Sequence, residues 1–287
     1  MPELPEVEAL ARFLAERTVG RVVASVTVGT ISALKTYAPA PAELAGRTVT
    51  GVTRHGKWLD LATQHGPHLL AHLSRAGWLR WYDVAPATPV RPGKSPIALR
   101  VVLDDGAGFD LTEAGTRKRL AVHIVTDPAD VELVASLGVD PLSDAFTVER
   151  LSALAAARNQ QVKGLLRDQR QVAGIGNAYS DEILHAARLS PFKPASGLDA
   201  AERATLYEAI RTELSDAVGR SAGLAAKELK GAKLLNLRVH GKTGQPCPIC
   251  GTTIAEVSFA DSSLQYCPGC QTGGKLLADR RLSRLLK

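Results

Sequence analysis

No cysteine lies outside residues 247–270 of this 287-residue chain. That excludes a disulfide framework spread across the fold. Four thiols gathered as two Cys-x-x-Cys pairs read as metal ligands instead. No apolar run approaches the ~18 residues of a membrane span. The N-terminus is acidic and has no apolar stretch behind it, so a signal peptide is not expected. There is no internal repeat and no low-complexity run, and a cytoplasmic protein is the expectation. What is present is length for two domains plus an appendage, with 45% hydrophobic residues to build a core. Net charge is +6 and the sequence pI is near 9.2. That excess points to a polyanion, nucleic acid first. A merely basic soluble enzyme is the plainer alternative.

The first eight residues, MPELPEVE, organise the rest. Removing Met1 leaves Pro2 as a free secondary amine. An α-amino group titrates near pKa ~8, against ~10.4 for lysine. The neutral amine is the nucleophile of Schiff-base chemistry. With an aldehyde carbon, a secondary amine forms an obligate cationic iminium, which acidifies the adjacent C–H and favours elimination. Glu3 is the nearest carboxylate able to move those protons. The same stretch also reads as a helix start, with Pro5 at the first helical position and Glu6 and Glu8 in the first turn.

Residues 5–17 are predicted as an amphipathic helix carrying Val7, Leu10, Ala11 and Leu14 on one face. Short alternating segments follow: 22–28, 48–53, 58–62, 69–73, 78–82, 97–103, 109–111 and 120–125. Turn-like clusters such as Asp104-Asp105-Gly106 separate them, as in an antiparallel sandwich or barrel. Helical periodicity takes over at 148–158, 161–166, 178–187 and 200–219. Residues 220–246 are basic and contain glycines. The resulting division is a sandwich domain over 1–126, a linker over 127–146, a helical domain over 147–236, a finger over 237–271 and a basic extension over 272–287.

CPIC at 247–250 and CPGC at 267–270 match tetrahedral zinc. Zinc held by Cys247, Cys250, Cys267 and Cys270 has no open position and is therefore structural. An apo or redox dithiol pair is the alternative. Arg238, His240 and Lys242 flank the finger and suit a phosphate backbone. In DQRQVAGIGNAYSDEIL, residues 168–184, Gly174 and Gly176 allow backbone N–H groups to approach an anion ahead of a helix N-terminus. Asn177 can donate there too. In RHGKW, residues 54–58, Lys57 could hold a phosphate from a turn between two strands, or be a solvated hairpin charge.

Taken in order and spacing, MPELPEVE, HGKW, QVAGIGNAYSDEIL and the finger ending YCPGCQ resemble the formamidopyrimidine-DNA glycosylase and endonuclease VIII family of base-excision repair enzymes. The resemblance spans residues 1–271. It implies an α+β multidomain fold: an N-terminal helix with an antiparallel β-sandwich, a helix–two-turn–helix domain and a C-terminal zinc finger, with DNA in the cleft between the halves. It implies a bifunctional glycosylase and abasic-site lyase acting as a monomer on damaged DNA, bacterial in type and nucleoid-associated. Pro2 matches the nucleophile, Glu3 the general acid/base and Glu6 a supporting carboxylate. Lys57 and Asn177 match phosphate-gripping residues, with Lys242 beside them, and the four cysteines match the structural zinc ligands.

The chain also departs from that family. Ser262 stands where familiar members carry an arginine, five residues before the third cysteine. The lost charge-assisted contact is worth ~1.5–3 kcal/mol. Arg75 stands where a methionine follows the His72 segment. The void-filling loop reads TEAGTRKRL, in which Arg117 and Arg119 could serve and Leu120 is the nearest apolar substitute for an absent aromatic wedge. The stretch between Gly219 and Val239 is short of a lesion-covering loop. These differences touch how DNA is held, not Pro2 and Glu3. They keep open a member specialised for bulky adducts, cross-links or single-stranded sites, and a damage-binding protein with little turnover. Borohydride trapping separates the last of these from the others.

Overall fold

The structure, a computed structural model, describes residues 1–93, 95–114, 118–260 and 262–278. It divides into two compact units: Met1–Leu137 with Arg220–Gly231, and Gly138–Gly219 with Ala232–Lys287.

The first unit begins with helix α1 (Leu4–Thr18). Proline in its first turn costs nothing, because that N–H would be unsatisfied anyway. The Glu3 N–H donates to the Glu6 carboxylate at 2.8 Å. Gly20, at φ +84°, turns the chain just past the helix end. Eight strands among the described residues then form two antiparallel sheets. One runs β1 (Val23–Val28), β6 (Ile97–Leu103), β7 (Gly108–Glu113), β5 (Gly77–Tyr82). The other runs β2 (Val49–His55), β3 (Trp58–Thr63), β4 (His68–His72), β8 (Ala121–Val125). The period-two pattern sends Leu59, Leu61, Leu69 and Ala71 inward against Leu99, Val101 and Leu111, with Val7, Leu10 and Leu14 of α1 in the same core. The opposite face of β3, β4 and β8 carries Trp58, Leu70 and Val125, buried with Val131. Val131 directly precedes the single turn of α2 (Glu132–Ala135).

The observed division differs from the boundaries expected at 126 and 147. Residues up to 137 belong to the sandwich, because Val131 completes its second apolar cluster. Residues 220–231, expected as part of the helical domain over 147–236, belong there too. Ala226 and Leu229 are buried in the sandwich core, and Trp78 Nε1 donates to the Ala226 carbonyl at 2.8 Å. Within residues 138–146, Val139 bridges to Val172 and Arg211 donates to the Pro141 and Ser143 carbonyls, so this segment belongs to the second unit.

The helices of the remaining chain are α3 (Val148–Ala157), α4 (Val162–Arg167), α5 (Asn177–Ala186), α6 (Ala200–Ser221) and α7 (Leu229–Asn236). The finger adds the hairpin β9 (Ala255–Ser258) and β10 (Ser263–Tyr266), then α8 (Pro268–Thr272). Thr147 caps α3 by accepting from the Arg150 N–H. No helix among the described residues is long and apolar enough to cross a membrane.

Candidate active site and metal centre

Pro2, Glu3 and Glu6 are all buried at the start of α1, while Met1 is 47% exposed. A carboxylate is rarely buried without partners; Glu6 meets that demand by accepting the Glu3 N–H. The two glutamates that the sequence marks for chemistry and support are therefore tied together at the helix cap. One turn on, Glu8 reaches the Arg54 Nε at 3.0 Å and the Arg12 Nε at 2.8 Å. Burial pushes the Glu8 carboxyl up, but hydrogen bonds from Arg54 and Arg12 outweigh it and leave the pKa below the usual range. Arg54 also donates to the Gly56 carbonyl at 3.2 Å. Gly56 and Lys57 form the two-residue loop between the paired His55 and Trp58, with Gly56 at φ +54°. Glu8 and Arg54 thus fasten the Lys57 turn to α1, and Lys57 itself is 9% exposed. The lone surface charge that a hairpin lysine would ordinarily be is excluded by that burial.

Arg75 is exposed at the turn between β4 and β5, which the Gly77 N–H closes onto the Leu73 carbonyl at 2.9 Å. A Cβ at Gly77 would lie 2.1 Å from that carbonyl oxygen, so the turn admits no side chain there. In the 113–120 loop, the buried Glu113 carboxylate accepts the Arg119 N–H at 2.7 Å and the Leu120 N–H at 3.0 Å. Arg119 is exposed, and Arg117 lies outside the described residues. Leu120 is 1% exposed and belongs to the sandwich core, so it is not the apolar wedge expected of it.

Gln169 organises the glycine loop of the second unit: it donates to the Ile175 carbonyl at 2.8 Å and accepts the Gly174 N–H at 2.9 Å. Gly174 takes φ +92°, which favours glycine. Asn177 opens α5, and its Nδ2 donates to the Ser263 carbonyl at 2.7 Å, while its buried Oδ1 has no partner among the described residues. The sequence missed the charge network beside it. Buried Lys163 pairs with Asp181, whose other oxygen lies 2.7 Å from His240 Nδ1. Glu182 accepts the Val239 and His240 N–H groups at 3.0 and 2.8 Å. Arg238 pairs with Glu182 and, at 2.6 Å, with Glu213. Arg238 and His240 are therefore committed to carboxylates rather than to phosphates, as their place in the sequence suggested. Lys242, half-buried, has no carboxylate within pairing distance among the described residues. A run of acidic residues in DEIL facing a basic RVHGK was the available signal, but only the fold shows that they meet.

The four cysteines converge. Sulfur separations are 3.8 Å for Cys247–Cys270, 3.3 Å for Cys250–Cys267 and 3.4 Å for Cys250–Cys270. Tetrahedral zinc with ~2.3 Å bonds to sulfur needs edges of about 3.8 Å. Hydrogen bonds, first from the Thr252 side chain, lower the Cys250 thiol to about 6. Burial raises the Cys267 and Cys270 thiols. Four thiolates this close need a divalent cation between them, and zinc fits. His185 of α5 sits against the same cluster: its Nε2 is 3.3 Å from Cys247 Sγ and its Nδ1 is buried without a partner among the described residues. Burial, then the Arg238 charge, lowers the His185 pKa.

A capped N-terminal helix on a β-sandwich, a helical unit with a glycine turn and a four-cysteine finger define a zinc-finger protein of the helix–two-turn–helix class. Residues 1–122 match the formamidopyrimidine-DNA glycosylase N-terminal domain, residues 137–227 its H2TH domain, and residues 244–273 the zinc finger found in FPG and IleRS. The chain belongs to the formamidopyrimidine-DNA glycosylase family. It is 37% identical to the formamidopyrimidine-DNA glycosylase of Roseiflexus sp. (strain RS-1), over 94% of this chain and 100% of that protein. An uncharacterized formamidopyrimidine-DNA glycosylase-like protein of Mycobacterium tuberculosis is 56% identical over 53% of this chain and 95% of its own length. Among solved structures, MutM (Fpg) from Thermus thermophilus superposes with TM-score 0.81 at 31% identity, covering 96% of this chain and 100% of that one. The Lactococcus lactis Fpg bound to abasic-site DNA superposes with TM-score 0.82 at 26% identity, covering 94% of this chain and 99% of that one.

Proposed function

We propose that this chain excises damaged bases from DNA and cuts the strand at the resulting abasic site, with Pro2 as nucleophile. The observation that carries the reading is the buried Pro2-Glu3 pair at the capped start of α1, with Glu3 tied to Glu6. Solved relatives bound to abasic-site DNA and to carbocyclic 8-oxo-G DNA support the substrate class. Phosphate contacts bind the duplex. Flipping the damaged nucleotide costs a few kcal/mol, least for weakened pairs. The Pro2 amine, freed by removal of Met1, bonds to C1′ as the base departs. Glu3 delivers a proton to the sugar ring oxygen, which opens the ring and leaves a C1′ iminium. That cation acidifies C2′–H; loss of this proton expels the 3′ phosphate, and a second elimination expels the 5′ phosphate. Lys57, Asn177, Arg75, Arg119 and Lys242 hold the DNA, and the work is done on the chromosome. Zinc supplies fold to the finger and no chemistry.

Borohydride trapping tests this directly, because it reduces the iminium to a stable amine. Wild-type protein should crosslink to abasic DNA, and an uncleavable residue added ahead of Pro2 should abolish the crosslink. A crosslink formed at the normal rate by the extended protein would refute the assignment of Pro2.

A further inference from the structure

The finger's metal cluster holds five potential ligands for a tetrahedral ion, and the fifth comes from outside the finger. His185 is 3% exposed on α5 and presents Nε2 to Cys247 Sγ at 3.3 Å. One nitrogen and three sulfurs, from His185, Cys247, Cys267 and Cys270, all lie within 4.8 Å of one another. For bonds of ~2.0 Å to nitrogen and ~2.3 Å to sulfur, a tetrahedral site needs a nitrogen–sulfur edge of about 3.5 Å. The Nε2–Cys247 separation of 3.3 Å is of that size, and the other ligand atoms of the set lie within reach of the same ion. The cysteine it leaves out is Cys250, the exposed member of the four, whereas Cys247 and Cys267 are buried. The second ring nitrogen of His185 is buried and unpartnered among the described residues. A ring held only for structure would ordinarily have that atom hydrogen-bonded.

We infer that His185 is a reserve ligand of the finger's zinc. With all four cysteines in place, its Nε2–H donates to the Cys247 thiolate and secures it, as ring N–H groups do around bound metals. When Cys250 is lost from the shell, the ring changes tautomer, its one proton moving from Nε2 to Nδ1, and Nε2 takes the vacant position, so that three cysteines and one neutral histidine hold the ion. Such sites are as closed and as structural as those made of four cysteines. The finger then keeps its fold without its solvent-facing ligand, and the replacement is built into the helical unit rather than into the finger sequence.

The test uses the full-length chain purified without chelators. Zinc content is measured for wild type, Cys250→Ala, Cys247→Ala, His185→Phe and the Cys250→Ala/His185→Phe double variant. Cobalt(II)-loaded protein supplies a spectrum that reports the number of thiolates. Cys250→Ala should keep close to a full equivalent of zinc, and its cobalt spectrum should show weaker thiolate charge transfer with ligand-field bands moved to shorter wavelength, as nitrogen replaces sulfur. Cys247→Ala and the double variant should lose the metal. His185→Phe alone should release zinc to a competing chelator about tenfold faster than wild type. Should the double variant fail to fold, the cobalt spectrum of Cys250→Ala decides by itself. Loss of metal from Cys250→Ala as complete as from Cys247→Ala would overturn the inference. So would a cobalt spectrum of Cys250→Ala that shows three thiolates and no imidazole.

Discussion

Arg54 contributes more to the site than its place in a basic turn suggests. Its guanidinium is 7% exposed, bonds Glu8 on α1 and holds the Gly56 carbonyl ahead of Lys57. Arg54→Ala leaves a half-buried Glu8 with Arg12 alone, and removing one partner of such a pair costs about 2–3 kcal/mol. Arg54→Lys keeps the charge but not the fork that spans two acceptors. We expect both variants to weaken DNA binding through a loosened Lys57, with Arg54→Lys the milder. Thermal unfolding and abasic-site cleavage measured on the same preparations check this. His72, beside Trp58 at 4.9 Å between ring centroids, has its pKa lowered to about 4, by burial first and by Lys57 second. The unfolded chain takes up this proton near pH 6.5 and the folded chain only near 4. Stability from this group is thus full above 6.5 and is lost as pH falls towards 4, by at most about 3 kcal/mol. His123 shifts the same way, through burial and Lys35. Denaturant midpoints between pH 7 and 4 should therefore fall, and His72→Gln should flatten the profile. Ser262 leaves its place in the finger hairpin without a cation. Without an arginine there, excision, which needs flipping, should suffer more than cleavage of ready-made abasic sites. Single-turnover rates on 8-oxoguanine and abasic duplexes should differ in wild type and converge in Ser262→Arg; equal wild-type rates unchanged by the arginine would sink the idea.

At the scale of elements, most of the architecture was legible because local pattern and tertiary burial agree. The segments at 97–103 and 58–62 are strands as expected, although both of their faces are largely buried and exposure does not alternate along them. The 3.6 period at 148–158 and 178–187 marks α3 and α5. The finger was readable down to its four ligands, since ligand spacing is itself a local property. What stayed hidden depends on partners distant in sequence. Residues 229–236 form α7, although a basic, glycine-containing stretch gave no clear start or stop signal, and Leu229 is held by the sandwich core. The Asp181–His240 and Glu182–Arg238 pairs join segments nearly 60 residues apart, and no spacing rule connects them. Leu120 looked like a free apolar side chain beside a basic loop, but it follows Glu113's two amide contacts straight into the core. Gly138 shows the same limit: an added Cβ would lie 2.2 Å from the Gln171 carbonyl oxygen. Gly138→Ala must push the 168–176 loop away from its Val139 bridge. We expect about 1–3 kcal/mol of destabilisation and weaker DNA binding, with trapping by Pro2 retained at high protein concentration. Hydrogen exchange across 168–176 would reveal the displaced loop.

For the whole molecule, charge and metal act on different properties and can be separated. A net charge of +6 favours any polyanion, but specific binding requires cations that are not already paired. Arg238, His240, Arg100 and Lys163 are held by carboxylates, so they contribute little to counterion release. Exposed Arg75 and Arg119, with Lys242, are the groups of this kind proposed to meet phosphates, and Lys57 is proposed to join them from its buried turn. For Z such contacts, log K falls against log salt with slope roughly −0.9Z. Replacing any one of them by alanine should reduce the slope by about one contact, whereas Arg238→Ala should cost stability and leave the slope nearly unchanged. Zinc acts on folding instead: its loss removes the ion that holds four thiolates together, and metal binding of this kind is folding free energy. Chelation should unfold residues 247–270 and weaken DNA binding, while the sandwich keeps its core, because Leu10, Leu61, Leu99 and Leu111 belong to a cluster that includes no finger residue. Acidification should release the metal by protonating the thiolates. Far-ultraviolet circular dichroism, zinc content and abasic-DNA affinity followed together during chelator titration test this. Complete unfolding of the chain in one step with zinc loss, or zinc loss with no change in affinity, would contradict it.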